Sequence, residues 1–88
     1  MNIAEARAEY EAAKQSASAA SRAILEPATT AYDKAARDAR QTRTRLTAAE
    51  QAAYVTATHE AGRAWHDIAD GPTARLDQAL AAAKKESA

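Results

Sequence analysis

EPATTAYDKAARDARQTRTRLTAAE, residues 26–50, contains two places where a helical chain can reverse, and the choice between them decides the fold. The first is Pro27. Its ring disfavours helical geometry at Glu26 and it has no N–H to give, so a helix can end there. Thr30 with Asp33 then reads as the cap of the next helix, leaving a short loop at about residues 26–29. The second place is Thr47-Ala-Ala-Glu50, a capping-box pattern that allows a break near residues 44–47. The reading adopted turns the chain at Pro27; a kink in one continuous helix, and a break at 44–47, are its alternatives.

Working towards the N-terminus, Asn2 followed by Glu5 forms a plausible cap for a helix over about 2–26. Ile3, Tyr10, Ala17 and Ile24 recur every seven residues along it, with Ala6, Ala13 and Ala20 between them. This is an alanine-rich heptad seam, whose small side chains let two backbones approach closely. Towards the C-terminus, Gly62 is the only helix breaker between Thr30 and Asp70, so a helix over about 30–70 is expected. At 1.5 Å per residue it would be about 60 Å long. Gly71 and Pro72 read as a C-terminal cap and an early position of a last helix over about 72–86. That helix carries Leu76 and Leu80 on one face and ends near Lys84 and Lys85, where the helix dipole favours cations.

The expected fold is therefore a single all-α domain, 1–88: a helical hairpin with a long central helix, a short C-terminal helix and Ala-rich, coiled-coil-like packing. Composition makes it self-associating. Of 88 residues 28 are alanine, against nine Ile, Leu, Val and Met, three Tyr, one Trp and no Phe. A methyl group buries little area at about 25 cal/mol per Å², so such a core contributes little unless it is shared with another chain.

Tyr10, Tyr32 and Tyr54 lie 22 residues apart with Leu76 next in the series, and Ile24, Leu46 and Ile68 repeat the interval. Ala13, Ala35, Ala57 and Ala79 do the same, a pattern consistent with a worn internal duplication. Such 22-residue periods punctuated by proline resemble the exchangeable apolipoproteins, and the Ala/Thr/Lys/Glu texture resembles desiccation-protective helical proteins. The first family requires a broad face of large apolar residues and the second one rich in lysine, and this chain has neither.

Twelve basic and twelve acidic residues cancel, so no overall charge attracts nucleic acid or an anionic membrane. Their distribution is uneven: residues 27–46 carry five basic and two acidic groups, and residues 47–72 one basic and four acidic. Two long helices from two chains, laid antiparallel, would set these segments against one another. The absence of cysteine removes disulfides, thiol nucleophiles and thiolate metal sites. No apolar run approaches the about 20 residues of a membrane span, and MNIAEARAEYE lacks a signal peptide's regions, so a cytoplasmic protein, or part of a virion or other assembly, is expected.

THEAGRAWHDIADGP, residues 58–72, concentrates the chain's less common residues: both histidines, the tryptophan and both glycines. On a helical wheel Tyr54, Ala57, Ala61, Ala64, Trp65 and Ile68 form one apolar stripe, while His59, Arg63, His66 and Asp70 fall on the opposite, solvated face. His66 and Asp70 are spaced to chelate, but His59 lies about 10 Å away along the axis and no third ligand completes a zinc site, so no metal is expected. A thin bundle of alanines encloses no desolvated pocket for acid–base work, no serine triad pattern is present, and two glycines make no phosphate loop. No catalytic function and no cofactor is expected.

Arg37, Arg40, Arg43 and Arg45 form the one nucleic-acid-like segment. They spread over about 200° of the helix with Asp38 among them and without interleaved aromatics, which argues for a solvated surface rather than a phosphate-tracking stripe. The expected function is that of a non-enzymatic structural or assembly protein. It would act through protein–protein contacts and homo-oligomerisation, as an antiparallel homodimer or higher oligomer. Tyr10, Tyr32, Leu46, Tyr54, Ala61, Trp65 and Ile68 would carry its interface. The alternative is a small phage- or mobile-element-type adaptor or inhibitor that docks on a host protein through an exposed helical face.

Overall fold

A computed structural model describes residues 1–87: two helices, α1 (Ile3–Thr42) and α2 (Ala48–Ser87), each of 40 residues, antiparallel about a turn at 43–47. The helical hairpin is a rod of 66 × 18 × 16 Å. α1 opens as its sequence predicts. The Asn2 side-chain oxygen accepts from the Glu5 N–H at 2.8 Å, and its amide nitrogen donates to Glu5 Oε1 at 2.7 Å.

The reversal does not occur at Pro27, which corrects the loop at 26–29 and the cap at Thr30. Gly71 and Pro72 likewise lie inside α2, so the division into helices over 2–26, 30–70 and 72–86 gives way to two equal helices. The chain turns at the second of its two places. Arg43 adopts the left-handed conformation (φ 56, ψ 40); its N–H bonds the Arg40 carbonyl at 3.3 Å and the Thr44 N–H bonds the Ala39 carbonyl at 2.8 Å. These two bonds close α1 in a Schellman pattern, satisfying carbonyls that the helix end leaves free. Thr42 Oγ1 donates to the Asp38 carbonyl at 2.9 Å and lies 2.7 Å from Thr44 Oγ1. α2 then begins with a complete capping box: Glu50 N–H donates to Thr47 Oγ1 at 3.1 Å, and Thr47 N–H donates to Glu50 Oε1 at 2.8 Å. Leu46 therefore sits half-buried in the turn, not on a helix.

Carrying a proline within a helix costs about 3 kcal/mol. A reversal at Pro27 would cost more, because a first helix of some 24 residues could cover only part of a 40-residue partner, whereas a turn at 43–47 pairs two helices along their full length. Pro27 is exposed, so the Ala23 carbonyl that loses its N–H partner faces water. Pro72 instead is buried between the helices, and beside it Thr73 Oγ1 donates to the Ala69 carbonyl at 2.7 Å.

The positions of α1 turned towards α2 are Ile3, Ala6, Tyr10, Ala13, Ala17, Ala20, Ile24, Ala28, Tyr32, Ala35 and Ala39, all buried or half-buried. Those of α2 are Tyr54, Ala57, Ala61, Ala64, Ile68, Pro72, Leu76, Ala79 and Ala83. From Tyr10 and from Tyr54 onward the two seams have the same spacing, and each residue of the first has its counterpart 44 positions later, twice the interval of 22 seen in the sequence. A strict seven-residue repeat drifts about 20° per heptad around a straight helix; near their middle both seams take a four-residue step where the repeat calls for three, and that one added residue reverses the drift. Equivalent seams in antiparallel helices give the hairpin an approximate two-fold axis close to Ser21 and Trp65.

Candidate functional site

Of the seven residues expected at an interface, Tyr10, Tyr32, Tyr54, Ala61 and Ile68 fall along the contact between the two helices, Trp65 lies beside it and Leu46 sits in the turn. Tyr32 and Tyr54 meet across the hairpin near the turn, with ring centroids 4.8 Å apart and planes tilted by 40°. Beside them lies a groove of about 230 Å³ whose walls include Ala28, Ala35 and Ala53. Tyr10, near the other end, has Lys14 Nζ 5.7 Å from its ring centroid. Ala61 is buried, and Trp65 and Ile68 are half-buried. The indole of Trp65 stands edge-on to His66, with centroids 5.2 Å apart.

Within one chain α1 and α2 pack antiparallel along their length. The basic segment 27–46 and the acidic segment 47–72 flank the turn, but of the acidic groups only Glu50 lies abreast of the basic segment; Glu60, Asp67 and Asp70 lie further along α2, opposite residues of α1 that precede Pro27. The continuous helix over 30–70 assumed for a pairing of these segments between two chains is broken at 43–47, so the two segments lie on different helices.

His59, Arg63, His66 and Asp70 are exposed, as the wheel predicts, and His66 Nδ1 lies 2.9 Å from Asp70 Oδ1. Both side chains are about two-thirds exposed, and an ion pair in that setting contributes about 0–1 kcal/mol. Among the described residues no three His, Asp or Glu side chains converge on a point where a metal ion could sit. The only ion pair joining the two helices among the described residues is Glu9 with Arg75. Arg75's guanidinium also lies over Gly71, where an added Cβ would stand 3.4 Å from it. Arg37, Arg40, Arg43 and Arg45 gather at the turn end of the rod, all exposed, with Asp33, Asp38 and Glu50 among them. Among the described residues, no helix is long and apolar enough to cross a membrane.

The sequence reading does not single out Val55. Val55 and Leu80 are 51% and 41% exposed, and a Cβ added to Gly62 would meet nothing within 4 Å. All three follow a seam residue of α2 by one position, and so do Trp65 and Ala69, which makes a second stripe beside the seam. A wheel centred one residue beyond each seam position would have displayed it. Comparison with protein-family models, with curated proteins and with solved structures finds no match for the chain.

Proposed function

We propose that this chain is a non-enzymatic assembly protein whose hairpin acts as a building block and self-associates through its sides in a coiled-coil-like manner. The observation that carries this reading is the quality of its core. Among the described residues the buried ones are Ala6, Ala17, Ala61, Ala69 and Pro72, and every Ile, Leu, Tyr and Trp keeps part of its surface exposed. Two helices side by side have no third wall against which to bury larger side chains. The accessible surface is 6496 Å², whereas a compact monomer of this mass exposes about 5,000 Å². The excess of about 1,500 Å² is more than the about 800 Å² that each partner contributes to an ordinary stable interface. A second hairpin would supply the missing wall and convert half-buried isoleucines, tyrosines and tryptophan into a core.

The test is absolute mass by light scattering after size-exclusion chromatography, over a hundredfold range of concentration, with Trp65 emission read on the same fractions. A defined dimer or larger species with blue-shifted, quencher-protected Trp65 is expected. A monomer of undiminished helicity at tens of micromolar, with Trp65 open to quencher, would overturn the reading and favour the adaptor that offers this surface to another protein.

A further inference from the structure

We infer that a second copy of this chain covers the flank of α2 bearing Val55, Gly62, Trp65 and Leu80, lying antiparallel on a two-fold axis so that each Trp65 enters the notch over Gly62 of the partner subunit. The inference rests on the self-association proposed above and assigns it a face and a direction.

Glu9 and Arg75 each precede a seam residue, and their side chains meet. Positions just before the seam therefore share one side of the hairpin, and positions just after it share the other. On that other side, between residues 18 and 29 of α1 and residues 55 and 73 of α2, the positions are Ser18, Ser21, Leu25 and Thr29, facing Val55, Thr58, Gly62, Trp65 and Thr73, with Ala69 among them already buried by the hairpin itself. None is charged. The opposite side carries Glu60, Arg63, Asp67 and Arg75 on α2 alone. Among the large apolar residues left exposed, Val55 lies within this uncharged stretch, and Leu80 lies beyond it on the same side, between Asp77 and Lys84.

Three features select another copy of the chain as the occupant. A bulky ring and an open notch sit one helical turn apart on one stripe, and a two-fold axis between them satisfies both at once, since in such an interface residue i touches j and j touches i. That axis falls near residues 63–64, close to the middle of the rod, so two hairpins overlap along most of their length. Charge then decides the direction. The turn half, residues 22–64, holds seven basic and five acidic side chains, and the remainder five basic and seven acidic. Antiparallel hairpins place a net positive half over a net negative half twice, whereas parallel ones place like over like.

The experiment uses the full chain and four variants. Gly62→Leu fills the notch from a position that is open in the hairpin, and Val55→Lys charges the same face at an exposed site. Ala23→Arg loads the opposite face as a control. Arg45→Cys, in a chain otherwise free of cysteine, carries one spin label at the turn. The expected result is that Gly62→Leu and Val55→Lys each weaken dimerisation by at least about tenfold, with unchanged helical circular dichroism and a red shift of Trp65 emission. Ala23→Arg dimerises as the parent does, and the label-to-label distance is about 55 Å, since residue 45 stands about 18 residues, at about 1.5 Å each, from the axis. Should the parent dimerise while Gly62→Leu and Val55→Lys leave it unaffected, or Ala23→Arg abolish it, the face is wrong although self-association stands. Short label distances would overturn the direction alone, and a parent that stays monomeric overturns both this inference and the assembly reading.

Discussion

At the scale of single residues, the turn is made by a residue type that does not advertise it. Arg43 holds a left-handed backbone that an L side chain enters at a cost of about 1–2 kcal/mol, and glycine is the usual occupant of that place after a helix. Arg43→Gly removes the penalty while adding chain entropy to the unfolded state, and is expected to raise stability by about 0.5–1 kcal/mol, measured as the urea midpoint. Gly71 poses the opposite case. Read from the sequence it is a C-terminal cap, which would make any side chain there strained; in the structure neither glycine has positive φ, and only the mobile end of Arg75 approaches. Gly71→Ala is therefore expected to stabilise α2 by up to about 1 kcal/mol, and a loss of stability in thermal melts would restore the cap. Glu9→Gln should cost less than about 1 kcal/mol, and that loss should disappear in about 1 M salt, because the pair it breaks is partly solvated. These residues show why the site was only half legible: the wheel separated His59, Arg63, His66 and Asp70 from the apolar stripe, but the openness above Gly62 depends on what the neighbouring helix leaves uncovered.

For the elements, the caps at Asn2 and Thr47 and the alanine seam could be read from local chemistry, since each depends on residues three or four apart. The choice of turn could not. Proline and glycine were the strongest breakers in the sequence, yet their penalties are local and fixed, whereas the gain from pairing two 40-residue helices grows with their length. The two prolines should respond differently to replacement. Pro27→Ala restores an N–H to the Ala23 carbonyl on an exposed face and is expected to stabilise by about 1–3 kcal/mol, with the hairpin's shape preserved. Pro72→Ala restores the same kind of bond but removes buried ring atoms from the seam, so its net effect should be the smaller of the two. Parallel denaturation curves for both variants would check the order, and a Pro27→Ala protein with altered dimensions would indicate that Pro27 bends the rod.

For the whole molecule, shape decides the energetics. The radius of gyration is 19.7 Å, against about 12 Å for a compact chain of this length. Small-angle scattering of the most dilute samples should approach the larger figure. If stability is shared between copies, the melting temperature should also climb with protein concentration, because mass action couples folding to association. A melting temperature constant over a hundredfold range would mean that one hairpin suffices by itself. Met1, Asn2 and Ile3 line a groove together with Ala82, Ala83 and Glu86, which brings the outer ends of the two helices side by side, away from the turn. Because the two seams repeat with an offset of 44, joining those ends through a short glycine-containing linker and cutting the chain within 43–47 would yield a protein whose helices are synthesised in reverse order yet meet through the same contacts. For this architecture, order of synthesis is an incidental property, and a circular permutant is a natural relative of the parent.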